Sequence, residues 1–91
     1  MKIQDIKIKT LKVNQYIISD KTNNTEYLQS YDSIIAAKQY CKDGIIVCLD
    51  INYWDYSATT GKYRNQFLGE GIAETRQKIE KGIYILTDLN K

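Results

Sequence analysis

The sequence predicts an α+β protein, with a small antiparallel sheet of about five to six strands and two short helices packed on one face of it. Three observations support this fold class. Apolar and polar residues alternate with a period of two through parts of the first half of the chain. Turn-forming pairs, Asn23-Asn24 and Asp43-Gly44, separate those stretches. Helical spacing of apolar residues begins only after residue 59 and ends before a last apolar run at 83–87, which predicts the final strand.

The first predicted strand runs from Ile3 to Val13. Its alternation places Ile6 and Ile8 on the other side of the strand from the intervening lysines, which we expect to face solvent. Leu11 falls out of this alternation, so we expect a bulge or a crossover close to it. The next two strands are predicted over residues 16–19 and 25–31.

Residues 33–42 leave two interpretations open. Asp32 and Gly44 fit the start and the end of a helix. Alternatively, Asp43-Gly44 forms a hairpin turn, and residues 33–40 pair as a strand with the apolar, β-branched run 45–49. We favour the strand, because a preceding hairpin partner fits the buried run well.

Two helices are predicted in the second half. Thr59 and Thr60 are of the residue type that caps a helix, and the apolar residues between 63 and 68 share one helical face. The second helix is predicted over residues 72–81, with Gly82 as its C-terminal cap. With 91 residues in all, the chain suffices for one domain, which we place at 1–91.

The composition argues against several classes of function. The chain has no histidine and only two cysteines, so the commonest general base and the commonest metal ligand are missing, and we expect no cofactor and no metal. Asp50 and Asp55 flank Tyr53-Trp54, but a third ligand at suitable spacing is lacking. Ser57 as a nucleophile would need a base that nothing in the sequence positions. We therefore expect a protein that is not an enzyme.

Hydropathy and charge give only a broad expectation of the cellular location of the protein. No apolar run approaches the ~18 residues that cross a bilayer, and the first residues lack the apolar core of a signal peptide. We therefore expect a cytoplasmic protein without a membrane partner. The net charge of +2 neither requires nor excludes nucleic acid.

The segment from Trp54 to Arg64 is the best candidate for a binding surface. Eight tyrosines and one tryptophan exceed what so thin a core can hide, and tyrosine combines an apolar ring with a polar tip that suits interfaces. The alternative is that these rings belong to the core or cover the sheet without a partner. Tyr31 and Tyr40 are further rings that we expect to be exposed. The candidate partner-binding residues are Tyr53, Trp54, Tyr56, Lys62 and Arg64.

The start of the first helix is a second candidate site. Free backbone N–H groups, hydroxyls and nearby cations can hold an anion or a phosphate at a helix N-terminus. The candidate residues are Ser57, Thr59 and Thr60. The alternative is a capped helix start with no ligand, since the glycine spacing of a phosphate-binding loop is missing.

Four lysines, Lys2, Lys7, Lys9 and Lys12, lie on or beside the first predicted strand. Such a basic strand can follow the phosphates of a nucleic acid. It can equally protect the edge of a sheet from pairing with other chains.

Two motifs stand in residues 28–68: 54–68 fits the pattern YS-x-TT-x-[KR]-[HY]-x3-FL, and 28–36 is close to the pattern SY-[ST]-x-[IV]-A. On these motifs the chain resembles a family of small uncharacterised phage and prophage proteins. This chain has Ser33 where threonine is usual and Tyr63 where histidine often stands, which argues against a histidine-dependent role. The resemblance supports a hairpin over 33–49 and implies a mobile-element origin, but no activity.

Small tyrosine-rich phage proteins without cofactors are often inhibitors of host defence enzymes, anti-CRISPR proteins among them. By that association we expect a stoichiometric inhibitor that binds a host or defence protein, with a CRISPR effector as one candidate partner. Two alternatives are a small nucleic-acid-binding regulator and a virion structural or assembly component. The sequence does not decide between a monomer and a homodimer.

Overall fold

The structure, a computed structural model, describes residues 5–91 and contains six strands and two helices. In chain order these are β1 (Ile6–Lys12), β2 (Gln15–Asp20), β3 (Thr25–Ser30), β4 (Ser33–Cys41), β5 (Gly44–Asp50), α1 (Ala58–Leu68), α2 (Ile72–Glu80) and β6 (Ile85–Thr87). All six strands form one sheet in sequence order. The first five pair antiparallel, and β6 returns parallel to β5 after the two helices.

The predicted fold class is confirmed, and the ambiguous region is a strand. Residues 33–41 form β4, which pairs with β5 from Ala36 opposite Leu49 to Cys41 opposite Gly44. Gly44 has a φ of 140°, a conformation that disfavours any side chain, so glycine permits the tight hairpin here. The turn between β2 and β3 also forms as predicted, with Asn24 in the left-handed region at a φ of 50°.

The core lies between one face of the sheet and the helices. Leu28, Ile35 and Leu49 are fully buried there, and Tyr63 and Phe67 of α1 pack onto them. Ile79 of α2 packs against the same cluster. Burying each large aliphatic side chain contributes about 1.5–3 kcal/mol, so this single layer supplies most of the apolar stabilisation. We call this side of the sheet the helix face and the other side the open face.

The edge strand β1 is exposed on both of its sides over much of its length. The bulge at Leu11 is confirmed, because the register between β1 and β2 shifts between Thr10 and Lys12, and Leu11 packs against the core. The lysines of β1 are exposed as predicted, and Ile8 on the opposite side of the strand lies on the open face and is also exposed, at 65%. The lysines on the other side of β1 stay solvated because the helices do not extend over this edge.

Neither helix found within residues 5–91 is long and apolar enough to cross a membrane. The predicted first helix begins at Ala58, and the second ends at Glu80 with Lys81 as its cap residue. Gly82 follows with a φ of 73°, so glycine stands at the left-handed position after the helix.

Candidate partner-binding surface

The loop between β5 and α1 is held in place by a buried carboxylate. Asp50 ends β5 and is fully buried. Its Oδ2 accepts hydrogen bonds from the backbone N–H groups of Asn52 and Tyr53, at 3.0 and 2.9 Å. Its Oδ1 accepts from the N–H of Leu89 in the C-terminal segment, at 2.8 Å. A carboxylate with three backbone donors ties the loop and the chain end to the same point of the sheet.

A buried arginine fixes the other end of the loop. Arg64 is 1% exposed, and its Nη1 donates to the carbonyl of Trp54 at 2.8 Å and to Oδ1 of Asp55 at 3.0 Å. Its Nη2 donates to Oδ1 of Asn65, and the guanidinium carbon lies 5.4 Å from the centre of the Trp54 ring. The expectation that Arg64 is a surface anchor is therefore corrected: the side chain is used inside the protein to shape the loop.

The loop aromatics divide between core and surface. Trp54 is half-buried and packs against the core cluster. Tyr53 and Tyr56 are exposed, and their rings meet edge to face with centroids 5.6 Å apart at 81°. Such a pair is favourable beyond the area it buries. The two tyrosines therefore form an ordered apolar surface with polar tips, which we call the tyrosine pair.

A groove of about 730 Å³ lies beside Tyr56, between the loop and the two helices. Its lining includes three cations and one carboxylate. The carboxylate, Asp55, bridges Arg64 and Arg76, whose Nη2 lies 3.2 Å from Asp55 Oδ2. Lys62 and Arg76 are exposed, so the groove presents an excess of positive charge to solvent. We call it the cationic groove.

Arg76 is a member of this surface that the sequence interpretation did not single out. It lies four residues after Ile72 on α2, and both line the cationic groove. Residues four apart share a helical face, so the sequence of α2 already places Arg76 on the same face as Ile72. What the sequence did not provide was the position of α2 against the loop.

At the start of α1, where an anion site was predicted, most of the candidate hydroxyls make hydrogen bonds within the protein. Ser57 is the N-cap, and its hydroxyl accepts the N–H of Thr60 at 3.1 Å. The Thr60 hydroxyl is buried and lies 2.9 Å from that of Ser30 on β3. Thr59 is exposed in the first turn. The three residues do lie at the helix N-terminus, but the cap is Ser57 instead of a threonine, and two of the three hydroxyls are used internally.

The two aspartates have separate structural roles, since Asp50 caps the loop and Asp55 binds two arginines. Across residues 5–91, no three histidine, cysteine or acidic side chains gather as a metal site. Of the basic strand, Lys7, Lys9 and Lys12 are exposed on the sheet edge, and Lys2 lies outside the described residues. The pKa of Lys7 is lowered by its contact with Lys21 and by the positive charge of that side chain.

A polar cluster joins α2 to the chain that follows it, and sequence reasoning missed it. Glu70 accepts hydrogen bonds from Lys78 at 2.6 Å, from the Thr75 hydroxyl at 2.7 Å and from the Tyr84 hydroxyl at 2.8 Å. Burial raises the pKa of Glu70, but these three donors outweigh it and bring the pKa below its ordinary value of 4.5. The pKa of Tyr84 is raised by burial and by its bond to Glu70.

Comparison with known proteins identifies a family without assigning an activity. The chain matches neither a curated protein nor a solved structure. Residues 1–84, nearly the whole chain, match the family of unknown function DUF8033. The protein therefore belongs to the DUF8033 family.

Proposed function

We propose that this chain is a non-enzymatic binding protein of phage or mobile-element origin that inhibits a host defence protein stoichiometrically, in the cytoplasm of a bacterial host. A CRISPR effector is one candidate partner. The observation that carries the proposal is the tyrosine pair, Tyr53 and Tyr56, exposed on a loop that Asp50 and Arg64 hold from inside. A rigid aromatic surface loses little entropy on binding, and tyrosine is enriched among residues that dominate interfaces.

The cationic groove indicates the chemistry of the partner. Lys62 and Arg76 lie exposed beside Tyr56 and face the same space as Asp55. An acidic side chain of a partner protein would find two cations there, while an apolar or aromatic side chain would pack on the tyrosine rings. Arg76 is already oriented by Asp55, so part of the cost of ordering its side chain is met before binding. We therefore propose a partner surface that combines acidic and apolar residues.

Affinity capture from a lysate of the bacterial host tests this function. We expect the wild-type chain to retain one protein in a fixed ratio, and the Tyr53→Ala/Tyr56→Ala variant to lose it. Tyr40→Ala is the matched control, because Tyr40 is also exposed but lies on β4 opposite Ile45, near the start of β5, whereas the loop follows the end of β5. Equal retention by all three proteins, or retention of nothing by the wild type, contradicts the proposal.

A nucleic-acid-binding regulator is the second candidate, and the edge strand favours it. Lys7 lies close enough to Lys21 to have a lowered pKa, and Lys9 and Lys12 extend the positive charge along β1. The repulsion between these like charges falls when phosphates bind between them. A mobility-shift assay at rising salt separates the two functions: phosphate binding weakens steeply with salt, and the absence of any shift at low salt removes this candidate.

A further inference from the structure

The open face of the sheet is apolar and almost without charge. The side chains there come from alternate positions of each strand, and Ile8, Ile18, Tyr27, Ala37, Cys48 and Ile85 form one continuous row of paired positions across all six strands. Among the strand residues of 5–91 that share this side of the sheet, Asp20 and Asp50 are the charged ones. Both are buried, with their carboxylates bonded within turns.

This face lacks a covering layer in the part of the chain that the structure describes. The helices pack on the other side, and the C-terminal segment crosses part of the open face: Asn90 bonds both backbone groups of Ile34, and Leu89 lines a hollow together with Tyr27, Ala37 and Cys48. Ile8 and Ile85 stay exposed, and the open face has two hollows, one beside Tyr27 and the other between Ile8 and Gln29. An exposed apolar patch of several hundred Å² marks an interaction site more often than a free surface.

We propose that a second copy of this chain covers the open face, so that two sheets pack face to face in a homodimer. The area is sufficient. At about 4.8 Å between strands and about 3.3 Å per residue, the six strands give a face of roughly 600 Å², of which the part that the C-terminal segment does not cross is roughly 500 Å² per copy. Two copies then bury roughly 1,000 Å², which reaches the ~1,000 Å² expected of a specific interface.

The lack of charge favours a second copy over other occupants. A nucleic acid or an anionic lipid surface needs cations, and the exposed strand residues of this face supply none. An uncharged face meets its own copy about a two-fold axis without like-charge repulsion. Two such sheets pack about 10 Å apart with their strands within about 30° of each other. The cationic groove stays accessible in this dimer, because it is formed by the helices on the opposite side.

Sedimentation analysis of two matched double variants tests the dimer. Ile8→Lys/Ile46→Lys places two lysines on the open face, where the native side chains are 65% and 43% exposed. Val13→Lys/Ile45→Lys likewise replaces two exposed β-branched side chains by lysine, but outside the open face, at a turn and on the other side of β5, where the native side chains are 77% and 55% exposed. We expect the wild type and the control to be dimers of twice 10.6 kDa at about 100 μM.

The open-face variant is expected to be a folded monomer by circular dichroism, with at least ~10-fold weaker dimerisation, a change of about 1.4 kcal/mol. A wild type that is monomeric at that concentration overturns the proposal. So does an equal effect of the two double variants, or no effect of either. None of these outcomes bears on the partner surface, whose loop and groove lie elsewhere.

A second measurement needs no variant. Cys48 lies on the open face, on β5 between Ala37 and Ile85, and is half-buried with a free thiol. We expect its alkylation in the wild-type protein to slow several-fold between about 1 μM and 200 μM protein, because the second copy covers it. A rate independent of protein concentration, in a sample that sediments as a dimer, would place the interface elsewhere and overturn the proposal.

Discussion

At the scale of single residues, two buried charged side chains explain why the loop after β5 has a fixed shape. Asp50 and Arg64 are both at most 1% exposed, and both bond mainly to backbone or side-chain atoms of residues within that loop. The sequence did not reveal the burial of Arg64. From the sequence alone, an arginine two residues after an exposed lysine is expected to be solvated. The acceptors of Arg64 come within hydrogen-bonding distance of its guanidinium only because of where the loop lies relative to α1.

Replacing Arg64 by methionine tests this role. We expect the free energy of unfolding to fall by about 2–4 kcal/mol, because the Trp54 carbonyl and Asn65 lose their donors and Asp55 loses one of its two cations. Urea unfolding measures the change. Lys62→Met, on the exposed side of the same helix, is the control and should stay within about 0.5 kcal/mol. Equal effects of the two substitutions would contradict the structural role of Arg64.

Glu70→Gln tests the polar cluster, and its effect depends on pH. The pKa of Glu70 is lowered in the folded protein, so its charge stabilises the fold above the unfolded pKa, and this is lost as pH falls through the folded value. We expect a loss of about 1–3 kcal/mol at pH 7 that shrinks steadily below about pH 4. Glu80→Gln, on the exposed end of α2, should show neither effect. A loss independent of pH would assign the stabilisation to packing instead of charge.

At the scale of elements, the sequence predicted strands and helices well because their patterns are local. The turns at Asn24 and Gly44 and the bulge at Leu11 each depend on a few neighbouring residues. Which side of β1 is covered by the rest of the protein could not be predicted in the same way. Alternation shows that a strand has two different sides, but which side is covered depends on where the helices end, and they stop short of β1.

The helix start gives a prediction at this scale. Ser57→Ala should destabilise the protein by about 1 kcal/mol, because the N–H of Thr60 loses its acceptor. Thr59→Ala, two residues later and exposed, should change the free energy of unfolding by less than about 0.5 kcal/mol. Thermal unfolding of both variants measures the difference. A larger loss of stability for Thr59→Ala than for Ser57→Ala would contradict the assignment of Ser57 as the N-cap.

At the scale of the whole molecule, the fold divides its surface into two regions of different chemistry. One side carries the tyrosine pair and the cationic groove, and the other carries the uncharged open face. The sequence indicated the first region, because aromatic and cationic residues cluster between 53 and 64. It did not indicate the second, because residues that are scattered over six strands share a face only once the register is known.

A calorimetric titration of the captured partner tests the central claim most directly. If the tyrosine pair forms the binding surface, the wild type binds one partner per chain, Tyr40→Ala binds within about threefold of it, and Tyr53→Ala/Tyr56→Ala binds at least ~30-fold more weakly, about 2 kcal/mol. Unchanged affinity in the double variant, with its fold intact by circular dichroism, would contradict the claim.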